Sequence, residues 1–273
     1  MFIIQPHYHA IARTCQDYER MAQSGVVAVA EPAFWAGFDR DYHETFLDYF
    51  KQISEFEPTR AAEYGIRHFC WVAVNPKEAD NLELARSVLK EMPKYFDRPT
   101  VLGVGETGLN KSTQNEITVM EEHIELSIRY DQLLLIHTPH LADKLKGTRI
   151  ILDVLKNFPK LNRDKVWIDH VENHTVKMVK DNGYWYGFTL YPITKCSINR
   201  CADMIEQYGI DRLLVNSSAD WGPSDPMLLQ QSIQELTRRG HTRDEIIEIY
   251  HNNPVKYLTQ CPKFDIKPIK FCT

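Results

Sequence analysis

Two histidines stand at positions 7 and 9 in "QPHYHA", and four further ionisable side chains follow far apart in the chain: Glu106 in "GVGETG", His137 in "LLLIH", His170 in "VWIDH" and Asp220 in "NSSAD". The i, i+2 spacing of His7 and His9 puts both imidazoles on one face of an extended segment. Imidazoles and carboxylates without thiolates suit one or two divalent ions such as Zn²⁺, Mn²⁺, Mg²⁺ or Fe²⁺. A shared carboxylate such as Glu106 would bridge two of them and so lower the pKa of a water they share. Any single one of the 11 histidines is more often a structural or surface group than a ligand. The weight rests on the set, which converges only if the segments that carry it close into a ring.

Those segments read as strands. Short runs of Val, Ile, Leu and aromatic residues fall at 2–5, 26–30, 68–74, 100–105, 133–137, 166–170, 184–190 and 212–216. Helical periodicity separates and follows them at 13–23, 41–64, 77–91, 114–129, 141–157, 174–182, 197–208, 225–239 and 243–259. Thr242 and Glu245 form a capping box at the start of the last helix. Strands apolar on both faces that alternate with helices imply a parallel sheet covered by helices. Eight such units in about 250 residues fit a closed (β/α)₈ TIM barrel, one α/β domain over residues 1–261. The remaining stretch, 262–273, carries two prolines and no helical pattern, so a surface tail is expected. A parallel barrel places its active site at the C-terminal ends of its strands, where all six ionisable residues fall.

Gly103, Gly105 and Gly108 have the G-x-G-x-x-G spacing of a dinucleotide-binding loop. Such a loop follows the first strand of its unit and opens directly into a helix. Here it follows the fourth strand, "LNKSTQ" delays the helix, and Glu106 would repel a pyrophosphate. Gly105 and Gly108 are instead expected to let the backbone turn sharply around Glu106.

The 32 Lys and Arg against 37 Asp and Glu give a formal charge of −5, so composition does not favour broad nucleic-acid binding. Six cysteines without a C-x-x-C pair, and a start that lacks a basic n-region and a long apolar run, point to reduced thiols in a cytoplasmic protein without a membrane span.

With these residues in place, the chain resembles the TatD-type metal-dependent hydrolases of the amidohydrolase superfamily over residues 1 to about 259. The family's H-x-H is matched by "HYH", its G-E-x-G-L-D by "GETGLN", its I-H-T/C by "IHTPH", its histidine after the sixth strand by "DHVENH" and its last helix signature by "NPVKYL". Three positions depart. Gln5 lies where an acidic residue usually precedes the H-x-H, Asn75 replaces the histidine of G-x-H-P, and "NSSAD" replaces E-T-D. The resemblance implies hydrolysis of a phosphoester, ester, lactone or amide by metal-activated water. It implies His7, His9 and Asp220 on one ion, His137 and His170 on the other, Glu106 bridging, and Asp220 as the general base. His174 is the rival to His170, or a substrate contact.

Glu31, Trp35, Thr189, Tyr191, Lys195 and Trp221 fall near the remaining strand ends and would rim an aromatic pocket for a small substrate, with Lys195 facing a substrate anion. Trp71, inside its strand, reads as a packing residue. A small-molecule hydrolase is the first reading. A metal-dependent TatD-like deoxyribonuclease is the second, and a catalytically silent metal- or partner-binding barrel the third. Oligomeric state is left open.

Overall fold

The computed structural model describes residues 2–140 and 143–271. Its eight strands are β1 (Ile3–Gln5), β2 (Val26–Glu31), β3 (Arg67–Val72), β4 (Val101–Gly108), β5 (Leu133–His137), β6 (Val166–Asp169), β7 (Trp185–Thr189) and β8 (Leu213–Asn216). They pair in chain order, each parallel to the next. The seam between β8 and β1 closes just beyond the strands. The Ser218 N–H donates to the His7 carbonyl at 2.9 Å, and the His9 N–H to the Ala219 carbonyl at 3.0 Å. The buried Gln5 amide clasps the same seam, donating from Nε2 to Ser217 Oγ at 2.8 Å and accepting from the Ser217 N–H at 3.1 Å. The result is the single (β/α)₈ barrel that the alternation predicts.

Helices α1 (Cys15–Gln23), α2 (His43–Lys51), α3 (Glu57–Ala62), α4 (Leu82–Glu91), α5 (Gln114–Arg129), α6 (Lys144–Lys156), α7 (Val176–Asp181), α8 (Ile198–Tyr208), α9 (Leu228–Arg238), α10 (Arg243–Ile247) and α11 (Asn253–Leu258) surround it. Two expected long helices change pitch. A wide turn over Gln52–Phe56 separates α2 from α3, where Pro58 sits in the first turn, and another over Glu248–Asn252 separates α10 from α11, where Pro254 does. Proline brings no N–H, so the helix is tolerated there only at a fresh start. The helix expected from 77 begins at Leu82, because Asn81 caps it by accepting from the Leu84 N–H at 3.1 Å. The first two residues of the helix expected at 141–157 lie outside the described residues. Among those described, no helix is long and apolar enough to cross a membrane.

The core has two shells. The larger lies between sheet and helices. The smaller fills the barrel with Ile4, Phe69, Trp71, Leu102, Leu135, Trp167 and Leu214. Tyr257 of α11 closes this plug from below, stacked on Trp71 at 6.2 Å, so Trp71 is the packing residue expected of it. The C-terminal stretch does not simply lie on the surface. Phe264 is buried against Phe69, and Lys263 Nζ donates to the Val101 carbonyl at 2.9 Å. The tail therefore caps the N-terminal ends of the strands, opposite the end where the histidines gather.

Candidate metal centre

Glu106 is presented by a strand, not by a turn. β4 continues through it to Gly108, pairing Thr107 with Ile136 and Gly108 with His137, with a register shift between Val104 and Thr107. A Cβ at Gly103 would meet the Leu133 carbonyl oxygen at 2.3 Å, and one at Gly108 would meet that of His137 at 2.3 Å. The glycines thus serve the close approach of β5, and the irregular register aims Glu106 into the barrel. The expected sharp turn is thus an irregularity inside the strand, with Gly108 at a φ of 131°.

Around Glu106 the imidazoles close in. Its Oε2 lies 2.8 Å from His137 Nδ1, 3.0 Å from His170 Nε2 and 3.8 Å from His7 Nε2. His7 Nε2 and His9 Nε2 are 3.0 Å apart. Ligand-type atoms group within 4.8 Å of one another as His7, His9 and Glu106, as Glu106, His137 and His170, and as His7, Asp169 and His170. These side chains come from β4, β5 and β6 or the residues just beyond β1 and β6. Burial would push the Glu106 carboxyl up, yet His137, His170 and His7 around it hold it well below the usual carboxylate range. Burial also pulls His9, His137 and His170 below the ordinary histidine value, so each offers a neutral lone pair near pH 7.

The donor set fits divalent ions. Two imidazole nitrogens face each other across 3.0 Å, and the buried His137 Nε2 has no hydrogen-bond partner among the described residues. The facing His7 and His9 nitrogens leave a lone pair that a cation beside Glu106 would satisfy, and His137 turns its Nδ1 to the same carboxylate.

Compared with known proteins, residues 7–259 match the family model described as TatD related DNase. The chain belongs to the TatD family. It is 26% identical over 252 residues to an uncharacterised metal-dependent hydrolase of Methanocaldococcus jannaschii, covering 92% of this chain and 97% of that protein. A TatD-like protein from Archaeoglobus fulgidus superposes with a TM-score of 0.77 at 26% identity, covering 94% of this chain and 99% of that one. The phosphotriesterase homology protein of Escherichia coli, at 16% identity and a TM-score of 0.65 over 93% of this chain and 97% of that one, shares the fold. This TatD-family chain is a divalent-metal hydrolase of the amidohydrolase type.

In this TatD barrel the segment after β8 departs from the sequence expectation. Asp220 is in none of the ligand groups. The chain turns at Ser218, whose φ is 43°, so Ser218 Oγ faces His7 Nε2 at 3.3 Å. Asp220 Oδ1 instead accepts from the Gly222 N–H at 2.7 Å and from the Tyr191 hydroxyl at 3.0 Å. His174 is exposed and belongs to no group, which leaves His170 beside Glu106. Thr189 Oγ1 lies 2.6 Å from His170 Nδ1 and orients that ring rather than rimming a pocket. Glu31 is buried beneath the site, 2.8 Å from His68 Nε2, and does not line the mouth. Trp35 and Trp221 do stand at the mouth, with ring centroids 6.1 Å apart, and Phe34 stacks on His9 at 3.9 Å. A cavity of ≈ 390 Å³ opens beside them, lined by Ile11, Phe34, Trp35, Tyr49 and Trp221 among others.

Several contributors escape the sequence reading of roles. Asp169 Oδ2 lies 2.7 Å from His7 Nδ1, and Asn216 Nδ2 donates to both Asp169 oxygens at 2.9 and 3.2 Å. Gly187 makes the room, since a Cβ there would fall 1.9 Å from Asp169 Oδ1. Asn75 Nδ2 donates to Glu106 Oε1 at 3.0 Å. His140 packs edge-on against His137 at 5.0 Å, and the buried Lys144 donates to the His170 carbonyl at 2.5 Å. The H-x-x-H of "HTPH" was a signal for His140; alternation gave none for Asp169.

Proposed function

We propose that the chain hydrolyses a phosphoester, ester, lactone or amide bond of a small molecule, with His7 and His9 on one ion, His137 and His170 on a second, and Glu106 shared. The observation that carries this reading is that Glu106 belongs both to the group with His7 and His9 and to the group with His137 and His170. Ions held there supply Lewis acidity and water of lowered pKa. The protein's own residues do the rest. Asp169 holds His7 by its Nδ1, leaving Nε2 to the centre, and Thr189 does the same for His170. Asp220 is assigned as proton carrier rather than ligand, since its Oδ2 takes no hydrogen bond among the described residues. Phe34, Trp35 and Trp221 narrow the mouth and exclude water from one side.

The test is elemental analysis of the purified protein. One to two divalent ions per chain are expected, and Glu106→Gln should lower the affinity of both. A wild-type protein that takes up no ion on titration with Zn²⁺ or Mn²⁺ sinks the reading. The nuclease reading is favoured by the description of the matching family model. It predicts substrate binding that weakens steeply with added salt, whereas a small substrate shows a shallow dependence.

A further inference from the structure

Two lysines flank the centre, and neither has an ion-pair partner among the described residues. Lys195 follows β7, and its Nζ is 3.3 Å from Ser218 Oγ, the hydroxyl that itself lies 3.3 Å from His7 Nε2. Lys77 follows β3, and its Nζ lies 4.2 Å above the Trp35 ring. Both are partly buried. Burial pulls each ammonium below its ordinary value, Glu106 and Asp220 push both back up, and Asp169 acts on Lys195 as well.

That arrangement is electrostatically incomplete. Half-desolvated cations are ordinarily paired. Here they stand beside imidazoles placed to receive further positive charge, the last residue of β8 and the two that follow, Asn216-Ser217-Ser218, offer amide and hydroxyls but no carboxylate, and the carboxylates nearby are already engaged, Glu106 with His137 and His170, Asp169 with His7, and Asp220 with Tyr191 and Gly222. Divalent ions in the centre would deepen the imbalance. What restores it is an anion arriving from outside, with oxygens for Lys195, for Ser218 Oγ and for Lys77.

Resting on the hydrolase reading above, we propose that Lys77 and Lys195 form an oxyanion-binding arm of the site, and that its substrates are small molecules carrying a phosphate or carboxylate group next to the bond that is cleaved. The lysines are point charges on flexible stems, suited to gripping a compact oxyanion without fixing its orientation, which the centre then supplies. The Trp35 ring lies under the Lys77 ammonium and keeps it inside the mouth.

The experiment measures binding of inorganic phosphate and, separately, of acetate to Zn²⁺-loaded protein by calorimetry, with metal content determined on the same samples. Wild type should bind one of the two anions, and which one identifies the oxyanion. Lys77→Gln with Lys195→Gln should weaken that binding by about 10- to 100-fold, the usual effect of losing charge-assisted hydrogen bonds, with metal content unchanged. Neutralising the exposed pair Lys90 and Lys94 should change nothing. Anion affinity equal in wild type and double variant, a loss reproduced by the Lys90 and Lys94 changes, or no binding of either anion to fully loaded protein overturns the proposal. Failure to load metal would instead strike the hydrolase reading itself. If the double variant does not fold, each single variant is measured in the same way, and an unchanged affinity in both is the overturning result.

Discussion

Asp169 shows how a residue without a motif comes to hold a site together. The strand β6 ends at Asp169, and His170 takes a φ of 60°, in the left-handed region. Two consecutive side chains therefore both face the centre, where strand alternation would have sent them to opposite faces. For the same reason, counting along "NSSAD" singled out Asp220, because only the φ of Ser218 shows that the chain has already turned. The histidines were legible because each lies at or next to the end of a strand that hydrophobic runs delimit well. Buttresses such as Asp169, Asn75 and Thr189 were not, since their role depends on which strands become neighbours and on local backbone turns. Asp169→Asn should weaken metal binding about 10- to 100-fold, as loss of a carboxylate behind a ligating histidine generally does. Chelator competition gives the affinity, and the Nδ1 proton resonance of His7 should shift at the same time. Wild-type affinity in the Asp169→Asn protein would mean that His7 needs no such support.

At the level of elements, β2 and β3 carry a buried pair whose charge state is not that of an ion pair. Burial pushes the Glu31 carboxyl up to about 8, offset in part by the Ile11 N–H, and pulls the His68 imidazole down to about 3. Both are thus neutral near pH 7. Glu31 retains in the folded state a proton that the unfolded chain has released, so the stability this gives is fully present below about pH 4.5 and is lost as pH rises through about 8. His68 works in the other direction, costing stability as pH falls from about 6.5 toward 3. Above about pH 6.5 only the Glu31 slope of this pair remains. Between about pH 6.5 and pH 8.5 wild type should therefore lose about 2 kcal/mol more than Glu31→Gln does, read from urea midpoints, with the buried Glu78, pushed up to about 7, adding to the slope of both. Parallel slopes for the two proteins would place the Glu31 pKa outside this window. Positions of the strands were readable within a few residues. The interruptions in the long helices were not placed, although Pro58 and Pro254 marked them, because a proline inside an otherwise regular pattern does not say whether the helix kinks, restarts or ends.

For the whole molecule, the division of labour between the two ends of the barrel is the main consequence of the fold. The site occupies the C-terminal ends of the strands, and the plug of Trp71, Trp167 and Tyr257, capped by Phe264, closes the other. Removing residues 262–273 takes away that cap and exposes the plug. Burial of one phenylalanine is worth about 1.5–3 kcal/mol, so the truncated chain should melt several degrees lower, at roughly 2–4 °C per kcal/mol, while binding the same number of ions. Thermal denaturation with metal analysis checks both halves, and a truncation that melted normally but lost its ions would contradict the separation of the ends.

The plug also lies against the centre it supports. The ring of Trp167 is 6.2 Å from that of His7 and 6.5 Å from that of Trp71, and the buried N–H groups of both indoles have no hydrogen-bond partner among the described residues. An indole in such a dry setting emits toward the blue, and a coloured or paramagnetic cation seated on His7 would extinguish that light at contact range. Cobalt titration should therefore dim the blue-edge emission in step with occupancy, and Trp167→Phe should remove much of the response. The barrel thus carries its own optical gauge of loading, legible before any substrate is known.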